Sequence, residues 1–241
     1  MTFKRKTILI TGAARRLGKA FALALAGAGA DVMIHHGHSP QAAEEVAAQI
    51  REMGQQAWVL EGDLADPTAA AQIVERAWQL QPLYAVVNSA AIFEALDWQT
   101  TTLENWQRHL NINLTAPFLI SRAFARKLGS EKTGRIVNIL DWRALRPGRD
   151  HLPYTISKAA LAALTKSLAV SLAPNVLVNG LALGAILPPD DGGNVDQILK
   201  KVPAGRWAGI QEVSDALLFL LDGPDYITGD ILHVDGGRHL T

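Results

Sequence analysis

Tyr154 and Lys158 stand four positions apart, and Asp141 precedes the tyrosine by thirteen, in the run IVNILDWRALRPGRDHLPYTISK from Ile136 to Lys158. On a helix, residues four apart share a face, so an ammonium can sit beside a phenol. A free phenol ionises near pH ~10. A neighbouring cation favours the phenolate and draws that value toward working pH, where general acid catalysis is efficient. An ionised Asp141 only accepts hydrogen bonds, but in a closed site its pKa can rise so that it acts as an acid. The competing reading is a strand-end carboxylate paired with Arg143 or Arg146. A lone YxxxK also arises as a helix-start tyrosine and a solvated lysine, so the surrounding elements must decide.

Those elements alternate. Strands are predicted at Thr7–Ile10, Asp31–His36, Ala57–Glu61, Tyr84–Asn88, Arg135–Leu140, Val176–Leu181 and Ile231–Val234. Helices are predicted at Leu17–Ala28, Gln41–Met53, Pro67–Leu80, Leu103–Leu128, Tyr154–Leu172 and near Glu212–Leu221. Strand-helix alternation implies right-handed crossovers and a buried parallel sheet. The fold class is therefore α/β, a doubly wound Rossmann-type sheet with helices on both faces, in one domain covering residues 1–241. The segment Ile186–Val195 combines two prolines, two glycines and two acids after a strand end, and reads either as a substrate lid or as an ordinary surface loop.

The first strand-to-helix turn is TGAARRLG, Thr11 to Gly18. Gly12 permits a tight turn and Gly18 lets helix and strand approach, leaving N–H groups of Arg15, Arg16 and Leu17 near a helix N-terminus that suits a phosphate. Arg16 replaces the middle glycine of the usual fingerprint. NAD-binding versions place an acid at the end of the second strand. Here that stretch is HHGHS, in which His38 and Ser39 can donate to a phosphate opposite Arg15, pointing to NADPH. They can equally decorate a polar loop.

These motifs come with Asp63-Leu64, the run NSAA from Asn88 to Ala91, Asn113 in NINLTAP, and VDGG at Val234–Gly237. Together they resemble the short-chain dehydrogenase/reductase family nearly end to end. The resemblance implies that Asp63, with Leu64, meets the adenine and that Asn88, Ser89 and Ala90 flank the cofactor, Asn88 propping the central strand. It also implies that Gly184 shapes the nicotinamide side and that Asn113 holds a water in a proton relay. Lys158 would bind the nicotinamide ribose and lower the Tyr154 pKa, while Tyr154 supplies the proton. Asp141 stands where the family usually has serine, and a plain ketone would want a donor there.

Arg16, Phe93 and Asp141 resemble the pteridine reductase branch, which includes bacterial dihydromonapterin and dihydrofolate reductases, as does the ending DGGRHL. That likeness implies a substrate site of Arg16, Phe93, Asp141 and Tyr154, with Phe93 covering a pterin or folate ring. A phenyl face suits a flat bicycle, although Phe93 can also be core filler. Trp98, Trp142 and Trp207 are further candidates to line the substrate cleft. The resemblance leaves a carbonyl reductase of another substrate, or a non-catalytic NADP-sensing protein, as alternatives.

Lys and Arg total 23 against 23 Asp and Glu, so no global field draws nucleic acid or an anionic membrane. Cysteine is absent, which excludes disulfides and thiol catalysis and fits a reducing, cytoplasmic setting. No membrane span is expected, and the seven histidines form no motif with metal spacing. The helix Thr155–Ala173 is apolar or small on most faces and should be buried all round. The family resemblance implies that it packs against its mate in another subunit, in a homotetramer or at least a dimer.

Overall fold

A computed structural model describes residues 3–130, 132–187 and 195–241. Seven parallel strands form one sheet: β1 (Thr7–Ile10), β2 (Asp31–His36), β3 (Ala57–Glu61), β4 (Ala85–Asn88), β5 (Gly134–Asp141), β6 (Val176–Leu183) and β7 (Ile231–Val234), in the order β3-β2-β1-β4-β5-β6-β7. Successive side chains alternate between two cores. Ile8 and Ile10 enter one and Leu9 the other, all fully buried, which is why these strands read as unbroken apolar runs. Helices α1 (Arg16–Gly27), α2 (Pro40–Glu52) and α8 (Ile210–Asp222) cover the first face. Helices α3 (Pro67–Leu80), α5 (Ala116–Leu128) and α6 (Leu152–Leu172) cover the second. A short α4 (Leu103–Leu110) packs on α6, and α7 (Val195–Leu199) is an unanticipated extra turn.

Strand order reverses between β1 and β4, and at such a switch point the crevice beyond the strands' carboxyl ends is open to ligands. Local chemistry fixes the ends nearby. Asp66 caps α3 by accepting from the Thr68 N–H at 2.8 Å, ahead of Pro67 at the first helical position. Thr102 and Asn105 form a reciprocal capping box on α4.

Three predictions need correction. The expected single helix Leu103–Leu128 is two helices joined by a π turn at Asn111–Thr115. Pro117 has no N–H to give the Asn113 carbonyl four residues earlier, and the Ala116 N–H instead reaches Asn111. Strands β5 and β6 run on to Asp141 and Leu183, which are register partners, so Asp141 sits at the sheet's carboxyl edge. Helix α6 is not buried all round: the sheet covers one side, while Ile156 and Val170 are 39% and 84% exposed. Of the expected insert Ile186–Val195, residues 188–194 lie outside the described residues; Ile186 is buried, and Val195 begins α7. Among the described residues no helix is long and apolar enough to cross a membrane.

Candidate active site

A cleft of about 620 Å³ opens along the carboxyl ends of the central strands. Gly12, Arg15, Arg16 and Leu17 line one end, with His38, Ser39, Asp63 and Leu64 beside them. Ser89, Ala90 and Phe93 lie along the middle, and Asp141, Tyr154, Lys158 and Gly184 close the far end. The fold thus gathers segments from across the chain onto one edge.

At the first end, Gly12 has φ +66° and a Cβ there would come within 2.9 Å of the Ala90 Cα. Gly18 lies so close to the Gly12 carbonyl that no side chain fits. Arg16 keeps the left-handed backbone of the glycine it replaces, φ +49°, at a cost of about 1–2 kcal/mol for an L-residue. Strain of this kind persists where surroundings impose it, commonly at ligand sites. The Arg15 side chain makes no cap bond at the start of α1, and a helix start of this kind suits an anion. No carboxylate occupies the end of β2. Ser39 leaves its hydroxyl out of the cap of α2, and His38, largely exposed, lies 3.7 Å from Asp63.

The turn is braced by two residues whose role went unnoticed in the sequence. His35, at 1% exposure, accepts the Gly12 N–H at Nδ1 (3.3 Å), and its Nε2–H donates to the Gly62 carbonyl (2.9 Å). Burial lowers its pKa to about 4, so the ring is the neutral tautomer that both bonds need. Thr11 Oγ1 accepts the Ser89 and Ala90 N–H groups, each at 3.0 Å, tying the end of β4 to that of β1. A histidine inside an apolar strand was the available signal for His35; Thr11 carried only its place in the motif.

Asn88 does not line the cleft. It points into the core, donating to Asn138 Oδ1 (2.8 Å) and Ser121 Oγ (3.2 Å). Asn138 in turn donates to Thr165 Oγ1 at 2.9 Å, so this buried polar chain spans β4, β5 and α6. Propping fits; contact with a cofactor does not. Asn113 is also fully buried, its amide taking the Ile92 N–H (2.9 Å) and donating to the Ile92 carbonyl (3.1 Å) and Ser157 Oγ (3.0 Å). The side chain is occupied as a brace. Pro117 leaves the Asn113 backbone carbonyl without the usual helical donor four residues on.

At the far end, Tyr154 donates to Asp141 Oδ2 at 3.0 Å, and Asp141 Oδ1 accepts the Arg143 N–H at 2.8 Å. Arg143's guanidinium instead pairs with Asp150 at 2.6 and 3.0 Å, so the reading of Asp141 as a simple ion-pair partner fails. Burial raises the Asp141 pKa, outweighing the two hydrogen bonds. The Tyr154 pKa lies well above 10, from burial first and then the adjoining carboxylate. That direction is opposite to the expected lowering by Lys158. The reason is geometric: Asp141 touches the phenol, whereas Lys158 Nζ donates to the Ile139 carbonyl at 2.7 Å and lies 5.8 Å from the ring centre. Burial lowers Lys158 itself to about 8.

Phe93 is 55% exposed and is not core filler. His151, also unforeseen, stacks on it with centroids 3.9 Å apart, and Tyr154 meets it edge-on at 4.6 Å. None of Trp98, Trp142 and Trp207 lines the cleft. Among the described residues no cluster of three or more His, Asp or Glu side chains could hold a metal.

The site can therefore hold a dinucleotide along the switch point and present a phenol, a carboxyl and an amine to whatever lies beside Phe93. The family model described as enoyl-(acyl carrier protein) reductase matches residues 12–239. A 3-oxoacyl-[acyl-carrier-protein] reductase from Synechocystis is 33% identical over 234 residues, 95% of each chain. One from Aggregatibacter actinomycetemcomitans is 36% identical over 238 residues, 96% of this chain and 98% of the relative. Among solved structures, the FolM alternative dihydrofolate reductase 1 from Brucella canis, complexed with NADP, superposes with a TM-score of 0.92 at 31% identity, covering 100% of this chain and 97% of the other. The chain belongs to the short-chain dehydrogenase/reductase family of oxidoreductases.

Proposed function

We propose that the protein is an NADPH-dependent reductase of a C=N bond in a dihydropterin or dihydrofolate. The observation that carries this reading is the part-buried Asp141–Tyr154 hydrogen bond, with the Tyr154 ring set edge-on to the exposed Phe93 ring. A ketone reductase wants two donors at the carbonyl oxygen, and an ionised carboxylate supplies none. A ring bearing N–H groups matches Asp141 as acceptor, and a protonated Asp141 adds a second acid.

The residues fit the cofactor. The uncapped start of α1 with Gly12, Arg15, Arg16 and Leu17 would hold the phosphates. His38 and Ser39 at the carboxylate-free end of β2 favour the 2′-phosphate of NADPH. Asp63 and Leu64 would receive the adenine, and Ser89, Ala90, Gly184 and Lys158 the nicotinamide riboside. When bound, the cofactor supplies a hydride to the carbon of the C=N bond.

The chain's own residues orient the substrate and supply the proton. Phe93 offers a flat shelf braced from behind by His151, and Arg16 can reach a ring carbonyl with its planar donors. Much of the rate then comes from orientation and exclusion of water. Tyr154 donates a proton to the substrate nitrogen. Asp141, when protonated, turns the 3.0 Å bond around, donating to the phenol oxygen as the phenol's own proton leaves. Lys158 steadies charge at the phenol oxygen during the transfer, and a water held at the Asn113 carbonyl would afterwards return a proton to Asp141 through the phenol.

A second reading, reduction of a ketone on another substrate, is favoured by the names of the relatives that are 33% and 36% identical. Loss of NADPH absorbance with dihydrobiopterin, dihydromonapterin, dihydrofolate and a set of ketones, repeated with NADH, separates the two. Turnover of dihydropterins is expected; turnover of ketones alone overturns the proposal. The exposed Ile156 and Val170 stripe on α6 supports assembly as a homotetramer, to be read by analytical ultracentrifugation.

A further inference from the structure

We propose that an arginine rim beside the carboxyl end of β5 binds an anionic group, a carboxylate or a phosphate, carried by the substrate away from the bond that is reduced. The inference deepens the proposed function and rests on it for the identity of the reduced ring.

Cation and anion counts are equal over the whole chain, yet RALRPGRD, Arg143 to Asp150, carries three arginines against one carboxylate. The C-terminal turn Arg238–Leu240 brings in a fourth. Trp142 is the meeting point. The guanidinium carbons of Arg143 and Arg238 lie 4.8 and 4.2 Å from its ring centre, and the Arg146 N–H donates to its carbonyl at 3.2 Å. Arg143 is committed to Asp150. Arg238 donates to the Thr241 main-chain oxygen at 3.2 Å, and no Asp or Glu side chain pairs with Arg146, Arg149 or Arg238 among the described residues.

Like charges gathered in this way repel. The Arg238 pKa is lowered, first by burial and then by Arg146 and Arg143. An anion seated among them would relieve that repulsion and meet planar donors suited to two-point binding of carboxylate or phosphate.

The rim is anchored to the cleft at two places. The Arg143 N–H donates to Asp141 Oδ1, and Trp142 directly follows that cleft-lining carboxyl. The turn bearing Arg238 is held by Asp235, which accepts from the Gly237 and His239 N–H groups at 3.0 and 2.8 Å and packs against Gly184, another lining residue. A ring lying on Phe93 with its reactive edge at Tyr154 can thus extend a substituent past Asp141 toward Trp142 and the arginines.

The test compares matched substrates that differ only in charge. Dihydrofolate (carboxylates) and a phosphorylated dihydropterin are each set against a dihydropterin with a neutral side chain, and a keto acid is set against its ester. In Arg146→Glu, and separately in Arg238→Gln, KM for the anionic member should rise about tenfold or more with kcat unchanged, as expected for a lost charge-assisted contact. The neutral member should be unaffected. A larger effect on dihydrofolate assigns the rim to carboxylate, and on the phosphorylated compound to phosphate. Equal effects on both members of a pair, or none on either, overturn the proposal, since a merely structural role would move both. If only the keto pair is turned over, the pterin reading fails, while selective loss on the keto acid still upholds the rim and equal loss still removes it.

Discussion

Replacing Asp141 by asparagine separates an acid from a mere acceptor. In the native site Oδ2 takes the Tyr154 hydroxyl at 3.0 Å and Oδ1 takes the Arg143 N–H at 2.8 Å. Asparagine fills the same volume with one acceptor and one donor. With its oxygen kept toward Arg143, its nitrogen must face the phenol and can donate no transferable proton. If Asp141 supplies that proton, the variant forfeits a general-acid contribution of about 10²–10⁴ in kcat, equivalent to roughly 3–5 kcal/mol. If Asp141 only accepts a hydrogen bond, the loss is about 1 kcal/mol, less than tenfold.

The assay is NADPH oxidation with saturating dihydropterin across pH. Because burial raises the Asp141 pKa, the native kcat should fall as pH climbs through that raised value, and Asp141→Asn should lack this limb. Stability carries the same signature. A carboxyl whose folded pKa exceeds its unfolded value of about 4 stabilises the fold below that value and loses the contribution as pH rises through the folded one. Asp141→Asn should therefore melt above the native protein on the alkaline side, with the gap closing in acid. A kcat within about threefold of native, with the alkaline limb intact, would refute the reasoning.

His35→Ala removes the brace between Gly12 and Gly62 and should cost about 1–3 kcal/mol while raising KM for NADPH, measured by melting and by cofactor titration. In the native protein His35 has a folded pKa of about 4, below its unfolded 6.5, so its contribution is complete above pH 6.5 and is lost as pH falls through 4; urea melts across that window check it. Phe93→Ala should raise KM for dihydropterins several-fold, consistent with an aromatic contact worth about 0.5–1.5 kcal/mol plus lost area, and leave KM for NADPH unchanged. Asn88→Ala orphans partners in the buried chain to Asn138 and should destabilise by about 1–3 kcal/mol. If Asn88 instead touched the cofactor, its loss would appear chiefly in KM for NADPH.

Periodicity and motif order made much of the molecule legible from the chain alone. Strands β1 and β2 fall where unbroken apolar runs place them, because a strand buried on both faces has little freedom to be anything else. The glycine turn and the Tyr154–Lys158 spacing likewise carry their geometry locally, through backbone sterics and helix pitch. What the chain could not reveal depends on contacts between distant segments. Asn88 and Asn113 belong to the family pattern, but only packing shows one amide turned into the core and the other spent on Ile92 and Ser157. His35 looks like a strand residue until Gly12 and Gly62 close on its ring. The direction of the Tyr154 pKa was also set in three dimensions, by desolvation and the touching Asp141 carboxyl, while the amine four residues along the helix lies 5.8 Å from the ring centre. Residue order fixes which groups can meet; solvent exclusion and distance, decided by the folded chain, determine which charge prevails.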